Sequence, residues 1–422
     1  MTRQSLWAIS VGIVAAVYLL QAATPLRLDD DSVDYLRMAA AMTDHRIVPA
    51  LPLPIGYPVI LSALERAGLG SSTYFVLANC LFLGLGLYAV WGLLADYPAK
   101  VRNATVLLTL LAFPVVKSVA IALPEAAFFG VSLLAIRMIS AGAAALSSKR
   151  GFLLAMAFVS VAAAIGIRTI GVALLPSLTW VCVSSGVARD REKQQSRARA
   201  WVLMTLLVAV AILAAVVRSE PFFAYQDWLR GYYLQADVAR QIGKRIVVVL
   251  WGWGEIVLNL PFSRFREMQL GFVAVGIASL IALGIAVRKV RRPLTPVRLY
   301  LLTYGLVIAV WPNPSPRLWM PVIPLLIAEI GLLVSRLPNM RWKTALVGAY
   351  SVWFALTGIT AIAYTTRISL SGANFQKVYG RNGGMPTAEV DPSNPNWGHI
   401  QYYKAEARRM IERYDRHGAE RK

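Results

Sequence analysis

The chain has 422 residues, 57% hydrophobic and only 15% charged, with 43 Lys and Arg against 22 Asp and Glu for a formal charge of +21. An apolar share above the roughly 45–50% of soluble domains, set out in repeated membrane-length runs, places it among all-α polytopic membrane proteins. The basic excess does not indicate nucleic acid. It gathers in short connections (Lys100/Arg102, Lys149/Arg150, Arg189–Arg199, Arg288–Arg298, Arg336–Lys343), as in cytoplasmic loops beside anionic membrane lipids, with no basic-aromatic module.

Leu6 to Ala23 reads as the first span, an anchor rather than a cleaved signal because no small-residue cleavage pattern leads into a soluble domain. Arg3 before it places the N-terminus in the cytoplasm and the following loop, residues 24–71, outside. That loop opens with Leu28–Met42, LDDDSVDYLRMAAAM, in which Asp29, Asp30, Asp31 and Asp34 put four carboxylates where Thr24 and Pro25 end the apolar run. Ser32 to Thr43 has the pattern of a short interfacial helix, with Ser32 available as its N-cap. Pro49–Pro58 is a proline-punctuated approach to Val59–Ala67, which lies along or enters the membrane surface and ends at Gly68–Ser71.

Spans follow at about Thr73–Leu94, Ala104–Leu123 and Glu125–Ser140, with a tight external turn at Pro124–Glu125. Residues 151–185 are too long for one span and carry Arg168 in their middle, so two short spans meet outside near that residue. A seventh span, Trp201–Val217, leads into an external loop, residues 218–268. Within it Ile246–Leu260 is apolar, but a crossing there would put Arg288–Arg292 outside, which favours a surface or re-entrant segment. Spans at 270–287, 299–313, 318–335 and 344–363 bring the total to about eleven. Residues 1–363 form the membrane domain. The tail, 364–422, is expected outside, with GRNGG and DPSNPNWG turns before an amphipathic Tyr402–Tyr414 helix packed on the external face.

The candidate chemistry is acidic and cationic. Cys80 and Cys182 sit in apolar runs as packed thiols, and His45, His399 and His417 are far apart, so no His/Cys metal site or cofactor is called for; a carboxylate-held divalent cation stays open. Close aspartates often do no more than start a helix, but several together raise one another's pKa as a proton acceptor requires. Glu125 is either the first acidic residue of a helix or a carboxylate facing a polar cavity. Arg168, in IGIRTIG, and Arg317, in PNPSPRLWMPVIP, offer planar forks suited to phosphate, against the plainer role of snorkelling to lipid headgroups. Lys117 is a further candidate cation, while Asp34, Tyr35 and Tyr57 are candidates to line the cavity.

In order and topology these motifs resemble the GT-C superfamily of integral-membrane glycosyltransferases, in the branch of protein O-mannosyltransferases and lipid A aminoarabinose transferases. The family's external D-E-x-x-Y-x-x-x-A is matched by Asp31, Ser32, Tyr35 and Ala39, with Ser32 in place of the second acid and Asp29 and Asp30 offering competing alignments. Its proline-glycine-tyrosine-proline approach corresponds to Pro54, Gly56, Tyr57 and Pro58, and its later acid to Glu125. Its glycine-flanked basic residue corresponds to Arg168, and its R-x-x-x-P-x-x-P to Arg317, Pro321 and Pro324. The likeness covers the first 185 residues best and the 312–335 region less fully.

The resemblance implies transfer of a sugar from a polyprenyl-phosphate donor to a lipid, glycan or protein acceptor on the external face of the membrane; one compact chain with a short tail fits a bacterial inner membrane. Asp31, or its neighbour Asp30, would be the general base of a single inverting displacement. Arg168, Arg317 and Lys117 would hold the lipid phosphate, and Glu125 would orient hydroxyls. The competing readings are a secondary transporter, which would show midplane ionisable groups and repeats, and a lipid-binding scaffold.

Overall fold

The computed structural model describes residues 3–48, 51, 53–145, 147–187, 227, 231, 238–261, 266–289, 293–311, 315–336, 341–370 and 397–415. Among them are fifteen α-helices and no strand. The first half holds α1 (Arg3–Leu20), α2 (Asp30–Thr43), α3 (Gly56–Arg66), α4 (Ser72–Leu93), α5 (Ala99–Leu111) and α6 (Phe113–Val119). Next come α7 (Glu125–Ala144), α8 (Ser147–Ile167), α9 (Leu175–Val187), α10 (Val238–Leu258) and α11 (Gln269–Lys289). The chain closes with α12 (Pro296–Val310), α13 (Ile323–Arg336), α14 (Arg341–Leu370) and α15 (Trp397–Tyr414). The expected seventh span, Trp201–Val217, and the GRNGG turn lie outside the described residues.

The protein is an integral membrane protein. Ser72–Leu93, Glu125–Ala144, Lys149–Ile167 and Lys343–Ile368 are each long and apolar enough to cross a bilayer, where about 20 apolar residues are needed. Shorter apolar helices stand at Trp7–Ala23, Thr169–Val183, Gln269–Ile285 and Pro296–Val310. Eleven spans were expected; these helices account for their places apart from the third span and those at Trp201–Val217 and 318–335.

The third expected span is broken. Helices α5 and α6 meet at a 54° bend. Pro114 in the first turn of α6 cannot continue the preceding helix, so α5 stops and a new helix starts. The backbone groups freed at the break are met by Asn259, 146 residues downstream: Phe113 N–H donates to its Oδ1 at 2.8 Å. Its Nδ2 donates to the carbonyls of Leu111 and Phe354, each at 3.0 Å.

Residues 246–258, expected as a surface or re-entrant segment, belong to the continuous helix α10, which is not among the helices long and apolar enough to cross a bilayer. It lies against α11 at very close range: a Cβ on Gly254 would come 2.1 Å from the Phe272 carbonyl oxygen, and one on Gly276 2.2 Å from that of Leu250. Small residues let two helix backbones meet in this way.

Two ends of the bundle are distinguishable. At one, Trp7 stacks on Trp91 with centroids 5.3 Å apart, Arg102 lies over the Trp91 ring, and Glu329 joins Tyr97 and Arg298. The other end gathers α2, α3, the first turn of α7, the end of α8 and the 3₁₀ turn Pro316–Trp319. Helix α15 lies there too. Arg413 reaches Asp44 through Nη2 at 2.7 Å and Glu65 through Nε at 2.7 Å, while Tyr414 donates to Glu65 at 2.9 Å. The tail helix therefore packs on the aspartate end, as the amphipathic Tyr402–Tyr414 pattern indicates.

Candidate active site

Each side chain at the aspartate end is set by a local break in helix structure. The turn before α7 places Glu125 at the helix start, where it is 1% exposed. Asn79, buried on α4, fixes that turn: its Nδ2 donates to the carbonyls of Val119 at 3.1 Å and Ile121 at 2.8 Å, and its Oδ1 accepts from the Tyr57 hydroxyl at 3.4 Å. Helix α8 ends at Ile167, and Arg168 is extended, with φ −147° and ψ 131°, before the 3₁₀ turn Thr169–Leu174. The two short segments meeting near Arg168 are thus present.

Arg317 sits on the 3₁₀ turn Pro316–Trp319. Tyr304 of α12, fully buried, donates to the Leu318 carbonyl at 2.5 Å, and Trp319 packs on Trp253 of α10 with centroids 5.2 Å apart. These contacts fix the turn from which the Arg317 side chain projects.

Helix α2 starts at Asp30, two residues earlier than expected, which corrects the role of Ser32. The Asp29 carbonyl accepts from the backbone N–H of Ser32 at 2.9 Å, and Ser32 Oγ accepts from the Asp29 N–H at 2.6 Å. Asp29 is the cap and Ser32 reaches back to it from the third helical position, one half of a capping box. Asp29 and Asp31 are thereby held at the N-terminus of α2, facing Arg317.

The resulting cluster has three carboxylates and two guanidiniums. Arg168 Nη1 donates to Glu125 Oε1 at 2.8 Å, and Arg317 Nε lies 3.3 Å from the same oxygen. Arg317 Nη1 is 3.4 Å from Asp29 Oδ2, and its Nη2 pairs with Asp31 Oδ2. Burial works against the charge on Arg317, but Glu125, Asp31 and Asp29 outweigh it, so its pKa rises and it stays protonated at any working pH. Glu125 Oε2 is buried with no hydrogen-bond partner, an acceptor left for a group that the protein does not supply.

Tyr35 and Tyr57 form the wall beside these charges. Both are 1% exposed and meet edge-to-face with centroids 5.6 Å apart. Burial pushes both phenols upward, so they remain neutral donors. Gly56 makes room for the approach of α3 to α8, since a Cβ there would come within 2.6 Å of Gly166 C and O.

Two expected residues do not join the cluster. Asp34, one helical turn on from Asp31, pairs with Arg37 at 3.0 Å, and Arg37 also reaches Glu406 of α15 at 3.4 Å. Lys117 lies on the short helix α6 and is exposed while its neighbours are buried. The helix break at Ala112 sets the direction of α6, which a straight span would not. Asp30 begins α2, and its side chain lies outside the described residues. Residue patterning missed Asn79 and Tyr304; Asn79 is a polar amide inside an apolar run, the one available signal, whereas Tyr304 sits beside Thr303 and Tyr300 with nothing to single it out. Among the described residues no group of three or more His, Cys, Asp or Glu is arranged to hold a metal ion.

No protein-family model matches the sequence, and no curated protein is similar to it in sequence. Solved structures do match. ArnT from Cupriavidus metallidurans in the apo state aligns over 97% of this chain and 76% of its own, with TM-score 0.51 and 16% identity. The chain has the GT-C fold. ArnT bound to undecaprenyl phosphate aligns over the same shares with TM-score 0.53 and 16% identity. The GT-C fold extends over nearly the whole described chain, so the charged cluster is part of that architecture and not an appended loop.

Proposed function

We propose that the protein is a glycosyltransferase that moves a sugar from a polyprenyl-phosphate donor to an acceptor hydroxyl on a lipid, glycan or protein. The observation that carries this reading is the Arg317 guanidinium, held between buried Glu125 and the two aspartates at the start of α2, on a GT-C fold. The ArnT structure with undecaprenyl phosphate supports a lipid-phosphate ligand for this fold.

In the reaction, the acceptor oxygen forms the new bond to the anomeric carbon as the bond from that carbon to the phosphate oxygen breaks. The acceptor proton passes to Asp31, and the electron pair leaves with the polyprenyl phosphate. Attack opposite the leaving group inverts the anomeric centre. Arg317 and Arg168 stabilise the charge that grows on the phosphate, which needs cations more than it needs an acid. Glu125 holds the two arginines and offers Oε2 to a sugar or acceptor hydroxyl. Asp30 is the competing base, and Asp34 and Lys117 have no part in this step.

The basic connections, read as cytoplasmic, support Asp31 and the tail on the external face and the N-terminus in the cytoplasm, and we propose a bacterial inner membrane as the location. Incubation of purified protein with a panel of radiolabelled polyprenyl-phosphate sugars and lipid, glycan and peptide acceptors tests the reading. A product of inverted configuration is expected. Release of free sugar alone, or no product with any donor in folded protein, would overturn it.

A further inference from the structure

Arg317 has its three nitrogens on three different carboxylates: Nε on Glu125, Nη1 on Asp29 and Nη2 on Asp31. The guanidinium proposed to bind the donor phosphate is thus already occupied, and one of its occupants is the proposed base. We propose that Arg317 masks Asp31 in the empty enzyme, and that the donor phosphate unmasks it by taking its place on the guanidinium. This rests on the donor reading above and adds an order to it: donor first, acceptor second.

The exposure of the three partners says which bond is exchanged. The Glu125 side chain is 1% exposed, beneath the guanidinium and also bonded to Arg168, whereas those of Asp29 and Asp31 are 35% and 36% exposed. An anion arriving from outside meets the aspartates and leaves the Glu125 contact in place. Asp29 and Asp31 are alike in exposure, and either side chain can turn from Arg317 without breaking a backbone bond; the exchange falls to Asp31 because it is the proposed base.

The electrostatics favour the exchange. Arg317 already carries Asp29 and Asp31 on its two Nη atoms, so a phosphate would add a further anion there, and like charges at that distance repel strongly. Once Asp31 turns away, its oxygen no longer accepts from Nη2 and can accept the proton of an incoming hydroxyl. Without a donor the base stays engaged, so acceptor and water are not activated prematurely.

Because phosphate and Asp31 compete for one group, removing the competitor must tighten phosphate binding. The test is equilibrium binding of undecaprenyl phosphate to the full chain in nanodiscs, for wild type, Asp31→Asn, Arg317→Ala and Asp44→Asn. Asp44 lies at the far end of α2 and serves as a control for charge alone. Asp31→Asn should bind about tenfold tighter, within the five- to 150-fold span usual for coupled sites. Asp44→Asn should match wild type, and Arg317→Ala should bind more weakly. In parallel, carbodiimide labelling of Asp31 in the wild type, read by peptide mass spectrometry, should rise as the lipid saturates.

Equal binding by wild type and Asp31→Asn, equal tightening in Asp44→Asn, or labelling that does not rise would overturn the exchange. Each of these would leave the donor reading standing. Failure of the wild type to bind the lipid would overturn both.

Discussion

Arg168 and Glu125 form a buried pair, Nη1 to Oε1 at 2.8 Å, between the end of α8 and the start of α7. Burial opposes the Arg168 charge, but the Glu125 carboxylate beside it favours that charge, and the pKa of Arg168 is raised. Removing one partner of such a pair leaves the other charge uncompensated, at about 3–5 kcal/mol. Glu125→Gln should therefore lower unfolding stability by that order, and Glu125→Leu with Arg168→Leu should be less destabilised than Glu125→Gln alone. Denaturant unfolding in detergent measures both.

The broken span depends on Asn259 at a distance. Its side chain satisfies one N–H and two carbonyls around the break, and its own backbone has φ +55°, a conformation that Asn tolerates. Asn259→Gly keeps the backbone relaxed and removes only the side-chain bonds. Each buried group left unpaired costs about 1–3 kcal/mol, so the variant should unfold at clearly lower denaturant concentration. An unchanged midpoint would show that water or a neighbour replaces the amide.

Gly56 tests how closely α3 must approach α8. A Cβ there meets backbone atoms of Gly166 and Ile167 at 2.6–2.8 Å, with no flexible side chain to move aside. Gly56→Ala should cost about 1–3 kcal/mol as an overpacked contact and displace Tyr57 from the site. Thermal unfolding and transfer activity should fall together.

The tail clamp gives a pH dependence. Hydrogen bonds from Arg413, then from Arg46, hold the Asp44 carboxyl well below its ordinary value of 3.8. A depressed folded-state pKa adds stability that is complete above 3.8 and is lost as pH falls toward the folded value. The difference in melting temperature between wild type and Asp44→Asn should thus be constant near neutrality and shrink below about pH 4. A difference that persists undiminished at pH 3 would contradict this.

Much of the site was legible because its parts are local signals at helix breaks. Pro124–Glu125, the Arg168 interruption of a long apolar run and the aspartates after Thr24–Pro25 all interrupt hydrophobic periodicity. Which of them touch depends on packing. Asp34 was expected to line the cavity, but it lies about one turn further along α2 than Asp31 and pairs with Arg37, which also reaches the tail helix. Lys117 was placed as though its span were straight, although Pro114 carried the warning. The Asn259 contacts join residues 146 positions apart, and the Arg413–Glu65 pair residues 348 apart, separations that no periodicity reports.

The central claim is that Asp31 removes the acceptor proton while Arg317 carries the leaving phosphate. The measurement that tests it most directly is single-turnover sugar transfer from a polyprenyl-phosphate sugar by wild type and Asp31→Asn, with donor binding measured on the same samples. The account predicts that Asp31→Asn binds donor at least as well as wild type and loses transfer by about 10²–10⁴-fold, the usual contribution of a general base. Wild-type transfer rates in Asp31→Asn, with donor bound, would contradict it.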